Sequence, residues 1–249
     1  SDMVDSLGKR AYNIVRADGL GSLFRRIPKF VYYRTVRPWL PRRKVKYNSY
    51  PVYADRLFDS FIGGQSGNRP GYESGIINSL RTWVSDGDDI VIVGGGWGVS
   101  AVAAAKLAGE TGSVTVIEGA ERGVKRVRQT AELNGVSDRI TVKYGIVGEE
   151  ISLRGEAGTA DSISPSELPE CDVLELDCEG SELGILEDMT ISPRVVIVES
   201  HGMYDSSSSA VTQSLEGLGY AIVSESVADA QKHEVCIEDD VLVVTGVLE

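Results

Sequence analysis

The chain has 249 residues, 42% of them hydrophobic and 25% charged, which suits one α/β domain with a well-buried core and at most an added arm. No apolar run approaches the roughly 20 residues that cross a bilayer, and no signal-peptide pattern opens the sequence. Three scattered cysteines (Cys171, Cys178, Cys236) without a C-x-x-C pair argue against a disulfide framework and a zinc site, and read as reduced thiols of a cytoplasmic protein. The net charge of −12 divides unevenly: residues 1–50 hold 12 Lys/Arg against 3 Asp/Glu, the remainder 13 against 34. An acidic body repels nucleic acid, so a nucleic-acid partner is not expected.

Residues 1–50 are therefore expected to be a basic N-terminal arm and 51–249 the folded domain. Within 7–47 aromatics alternate with cations, and Pro28, Pro38 and Pro41 prevent one long helix. Such a segment can lie on an anionic membrane, at the inner face of the cell membrane. It can equally pack on the acidic body of its own subunit or of a neighbour in a homo-oligomer.

From Tyr72 the pattern becomes regular. Ile76, Ile77, Leu80, Trp83 and Val84 recur at helical spacing over 73–84. Ile90–Val93 is an all-apolar strand of the kind buried on both faces. A small-residue helix follows over 99–107, a strand over 114–118, a helix over 121–133 stopped by Asn134-Gly135, and a strand over 140–144. Residues 145–170 read as loop. Then come a strand to Asp177, a helix over 181–189, a strand over 195–199, a helix near 210–218, and final strands over 220–224 and 241–245. Strands alternating with helices imply βαβ units and a doubly wound, mostly parallel sheet.

Gly94-Gly95-Gly96-Trp97-Gly98 joins the first buried strand to a helix. Glycines there let the backbone turn sharply and a ligand approach, and the helix terminus favours an anionic group. Glu118 ends the next strand, placed to hydrogen-bond the ribose hydroxyls of an adenosine cofactor. Gly96 to Ala101 also satisfies G-x-G-x-x-A, so a nicotinamide dinucleotide competes at this point. Downstream, Asp177 and Glu179 stand at the carboxyl end of one strand, Glu199 and His201 at that of the next.

With these residues the sequence resembles the FkbM-type family of class I S-adenosylmethionine-dependent methyltransferases. The resemblance runs from about Tyr72 to the end and is most specific over Leu174-Glu175-Leu176-Asp177-Cys178-Glu179-Gly180-Ser181-Glu182. It implies a Rossmann-like sheet of seven strands in the order 3-2-1-4-5-7-6, S-adenosylmethionine as cofactor, and methyl transfer to a hydroxyl of a small molecule or glycan. The cofactor contacts it implies are Tyr72, Glu73, Gly94, Gly95, Gly96, Gly98, Glu118, Gly119, Tyr144, Gly145, Ile146 and Asp177. Three positions depart from the pattern: Ile92 replaces an acid, Gly96 an asparagine and Glu175 a lysine.

Asp177, Glu199 and His201 are the expected catalytic residues, with His201 or Asp177 as the base. The alternatives are a helix-capping role for Asp177 and an ordinary loop position for His201. Glu182 reads as a first-turn acid that compensates the helix dipole. No ligand spacing demands a metal, and none is assigned.

Overall fold

The computed structural model describes residues 31–57, 59, 67–148, 160–204 and 206–248. The chain divides into two compact units, Ser1–Val45 with Tyr53–Gly67, and Lys46–Val52 with Asn68–Glu249.

Most of the expected arm lies outside the described residues, but its end is folded. Tyr32–Val36 is a short π-helix, and β1 (Arg42–Tyr47) and β2 (Tyr50–Arg56) form a two-stranded hairpin. Residue 50, where charge alone places the domain boundary, lies inside this hairpin. In the first unit Asp59 collects Arg37 (2.9 Å to each oxygen), the Tyr32 hydroxyl (2.8 Å) and the Arg56 amide (2.8 Å). Tyr32 and Arg37, which fall in the expected arm, thus share a partner more than 20 residues away that local periodicity does not show.

The second unit carries the large sheet. Its strands are β3 (Asp89–Val93), β4 (Ser113–Glu118), β5 (Ile140–Val147), β6 (Asp161–Ile163), β7 (Val173–Leu176), β8 (Val195–Glu199), β9 (Ala221–Val227) and β10 (Leu242–Val247). They lie in the order β6-β5-β4-β3-β7-β8-β10-β9, and β10 is antiparallel to both neighbours while the remaining pairs are parallel. Seven of the eight reproduce the expected order 3-2-1-4-5-7-6.

The eighth, β6, is a correction to the seven-stranded sheet. It falls in the stretch expected to be loop, and pairs with Gly145, Ile146 and Val147, which extend β5 beyond its expected end. A three-residue edge strand is too short to show a period, so only its partner reveals it.

The helices are α1 (Ser74–Trp83), α2 (Val99–Leu107), α3 (Glu121–Asn134), α4 (Glu182–Asp188), α5 (Ser208–Gly217) and α6 (His233–Glu238). The last lies between the final two strands, where no helix is expected from the sequence, and its first residue, His233, is exposed. Alternation along the central strands sends side chains to two layers. Val91, Val93, Leu174, Leu176, Val196 and Val198 form a core with Ile185 and Leu186 of α4 and Val211 and Leu215 of α5. The opposite face, with Ile90, Ile92 and Ile197, is covered by α1 and α2; Ser79 of α1 meets Thr245 of β10 at 2.8 Å.

Leu80, Ile92, Val116, Leu174 and Ile197 are each at most 1% exposed. Burial of this extent contributes about 1.5–3 kcal/mol per large side chain, which fixes the strand register and so the positions of the strand ends.

Candidate functional site

The parallel strands end on one edge, and the expected residues gather there. A cleft of about 410 Å³ is walled by Tyr72, Glu73, Gly94, Gly96, Glu118, Gly119, Gly145, Ile146 and Asp177, all named from the sequence. Three expected contacts stand off its wall. Gly95 faces inward with its amide turned to Glu118, Gly98 caps α2 against Val127, and Tyr144 is the register partner of Glu118 on β5. The wall also includes Trp97, Arg122, Gly123, Arg126, Cys178 and Ser181. Arg122 and Arg126 lie one turn apart on the helix that follows Glu118, a spacing that the sequence could have offered as a signal. The Arg126 guanidinium lies 4.2 Å from the centre of the Trp97 ring.

The glycine turn approaches the neighbouring strand end closely. A Cβ on Gly94 (φ 97°) would lie 1.8 Å from the carbonyl oxygen of Asp177, so no other residue fits without moving that strand. Glu118 reaches back under the turn. One carboxylate oxygen accepts from the amides of Gly95 (2.8 Å) and Gly96 (3.2 Å), and the other from Ala120 (2.8 Å). Gly123 makes room for it, since a Cβ there would lie 2.5 Å from Oε1. Glu118 thus clamps the turn, and a carboxylate with about four acceptor sites keeps capacity for a ribose hydroxyl.

Glu73 takes a left-handed conformation (φ 48°) just ahead of α1. Tyr72 and the Ser100 amide hydrogen-bond its carboxylate, while Oε2 is buried without a hydrogen-bond partner among the described residues. Burial, reinforced by the charge of Asp177, pushes the Glu73 carboxyl up to about 8. Glu175 is 1% exposed, and burial holds its carboxyl well above the ordinary range. It is the register partner of Ile92 on β3, and its side chain meets Ser100 of α2 rather than the cleft.

A second cleft, also of about 410 Å³, shares Tyr72, Glu73, Asp177 and Glu179 with the first and adds Glu199, His201 and Tyr204. Here the three expected catalytic residues meet. His201 Nε2 lies 3.6 Å from Asp177 Oδ1 and 3.7 Å from Glu199 Oε1. Its Nδ1 lies 2.9 Å from Glu182 Oε1, and Glu182 is fully buried, accepting also from the amides of Cys178 (3.2 Å) and Gly180 (2.9 Å). The expectation of Glu182 as a mere dipole-compensating acid is corrected by these bonds. Only the fold brings α4 against the end of β8.

The electrostatics follow from this packing. Burial pushes Asp177 up to about 6, although His201 pulls it down. Burial likewise drives Glu199 well above the ordinary carboxylate range, with Asp177 and Glu73 adding to the effect. Burial opposes the charged form of His201, yet the Glu182 hydrogen bond and the charge of Asp177 overcome it and raise the imidazole. For Glu182 burial is again outweighed, by the His201 hydrogen bond and charge, and its carboxyl is lowered. The two partners agree that this pair favours the ionised form.

No protein-family model matches the chain. Over 69 residues it is 42% identical to a ribosomal protein L11 methyltransferase of Syntrophomonas wolfei, covering 28% of this chain and 22% of that protein. The chain thus matches about a fifth of the length of that curated relative. Among solved structures it is similar to a SAM-dependent methyltransferase from Aquifex aeolicus, with TM-score 0.48 and 16% identity over 70% of this chain and 89% of that one. It is also similar to a SAM-dependent O-methyltransferase from Thermotoga maritima, with TM-score 0.50 and 14% identity over 84% of this chain and 78% of that one. Together with the strand order, the likeness to the Thermotoga protein shows that the second unit has the Rossmann-like fold of the class I methyltransferases.

Proposed function

We propose that the protein is an S-adenosylmethionine-dependent methyltransferase that methylates an oxygen of a small molecule or sugar, of the FkbM type that its Asp177-Cys178-Glu179-Gly180 strand end resembles. The observation that carries this reading is the common wall of the two clefts. Tyr72, Glu73, Asp177 and Glu179 border both the glycine-turn cleft and the cleft of His201, so a donor and an acceptor can meet across them.

The residues fit the cofactor. The glycine turn leaves an open cradle, Glu118 is available to a ribose, and the orphaned Oε2 of Glu73 would accept from the ammonium of the methionine moiety, whose charge draws that carboxyl towards its ionised form. When bound, the cofactor supplies an electrophilic methyl group on a sulfonium. Gly94 and Gly96 would shape its cradle, Glu118 would hold the ribose, and Gly145 and Ile146 would flank the adenine. Asp177 and Glu179, on the shared wall, would set a negative surface towards the sulfonium. On the acceptor side, Asp177, Glu199 and His201 would hold an acceptor hydroxyl in line with the donor cleft and take up or relay its proton.

Calorimetric titration with S-adenosylhomocysteine and, in parallel, NADH tests the reading. Saturable heat with S-adenosylhomocysteine and none with NADH is expected. The reverse result would make the protein a nicotinamide-dependent enzyme.

A further inference from the structure

We propose that Asp177, Glu199 and His201 hold a divalent metal cation, bound by one oxygen of each carboxylate and by Nε2 of the imidazole. The assignment rests on these residues and on Glu182; only the use of the cation in catalysis rests on the methyl-transfer reading above.

One ligand atom from each of the three residues lies within 4.8 Å of the others. The separations of 3.6 and 3.7 Å from Nε2 to the two carboxylates are too long for hydrogen bonds. They are what ligands about 2.1–2.2 Å from one ion subtend at roughly 110–125°. A protonated Nε2 would meet both carboxylates through charge alone, with a hydrogen bond to neither, whereas a cation among the three groups would be ligated by each.

His201 is 8% exposed, and its Nε2 makes no hydrogen bond among the described residues, although it points between two carboxylates. Nδ1 is bound to Glu182, a fully buried carboxylate that itself accepts backbone amides and has no freedom to turn away. In its neutral form the ring is thus fixed with the proton on Nδ1 and the lone pair of Nε2 directed at the proposed ion. This carboxylate–imidazole arrangement is the one that orients histidine ligands in metal sites. The backbone is held too: the His201 amide donates to the Ser206 carbonyl at 2.7 Å.

Chemistry narrows the ion. Two carboxylate oxygens and one imidazole nitrogen suit a cation of the manganese, iron or zinc kind better than calcium. The adjoining cleft leaves coordination positions for water and for an acceptor hydroxyl. A hydroxyl ligated there would lose its proton to solvent more readily, with its oxygen held beside the shared wall.

The test titrates the full chain with manganese chloride and follows the free Mn²⁺ signal by electron paramagnetic resonance. One equivalent should be retained, and pulsed measurements should show ¹⁴N coupling from a bound imidazole. His201→Ala should abolish the coupling, and Glu199→Gln should weaken retention. Glu182→Gln should weaken it about 10–100-fold while the coupling survives. Circular dichroism checks that each variant is folded, and if His201→Ala is not, the wild-type ¹⁴N signal and Glu199→Gln decide. No retention by the wild type, retention without ¹⁴N coupling, or wild-type affinity in folded His201→Ala overturns the proposal. Calorimetry with S-adenosylhomocysteine on the same samples separates the two readings. Cofactor binding without Mn²⁺ defeats only the cation, and Mn²⁺ binding without the cofactor defeats only methyl transfer.

Discussion

Glu182 Oε1 lies 2.9 Å from His201 Nδ1, and no water reaches the carboxylate, which is 0% exposed. The same carboxylate closes the turn between β7 and α4 through the amides of Cys178 and Gly180, so one side chain shapes the Asp177 loop and aims the imidazole. Glu182→Ala would leave those amides and Nδ1 without their acceptor in a buried place. A loss of about 3–5 kcal/mol in urea-unfolding free energy is expected. A change below 1 kcal/mol would mean that the turn is held by something else.

Glu118 offers a cleaner test of cofactor recognition. Its carboxylate clamps Gly95, Gly96 and Ala120 and faces the cleft. Glu118→Ala removes the clamp and the ribose acceptor together. With each hydrogen bond to a charged group contributing about 1.5–3 kcal/mol, affinity for S-adenosylhomocysteine should fall about tenfold or more, as read by calorimetry. Unchanged affinity would place the ribose elsewhere.

Glu73 predicts a pH dependence. With its carboxyl at about 8 in the free protein, it is mainly protonated at pH 7. An ammonium group bound beside it favours the carboxylate and lowers that value, so binding should release a proton. Affinity for S-adenosylhomocysteine should therefore rise with pH up to about 8 and level off above. Titrations in buffers of different ionisation enthalpy count the protons, and Glu73→Gln should abolish the release.

Two glycines with positive φ separate steric demand from backbone preference. Gly94 (φ 97°) would place a Cβ 1.8 Å from the Asp177 carbonyl oxygen, whereas Gly135 (φ 70°), at the end of α3, has nothing within 4 Å. Gly135→Ala should cost only the left-handed conformation, about 1 kcal/mol. Gly94→Ala should cost about 3 kcal/mol or more, because a strand end must move as well. Thermal unfolding of both variants measures the difference.

The sequence by itself determined the repeating units of this protein. Ile90–Val93 is a short apolar run whose burial on both faces is written locally, Val114–Glu118 and Val173–Leu176 follow it at regular intervals between helices, and the glycine turn and Asn134-Gly135 mark where chain and helix must stop. With the family resemblance, that local information named Tyr72, Glu73, Gly94, Gly96, Glu118, Gly119, Gly145, Ile146 and Asp177, which the fold brings to one wall. The tertiary structure decided everything that depends on two distant segments meeting. β6 exists because Gly145–Val147 offered an open edge, and β1, from the stretch that reads as a basic arm, pairs with β2 just beyond it. Only packing of α4 against the end of β8 reveals that Glu182 serves His201, and that Asp177 and Glu199 face the same nitrogen. Periodicity reports which face of an element is buried. Which buried polar atoms share a space is fixed by strand register and helix docking, and those follow from contacts far apart in the chain.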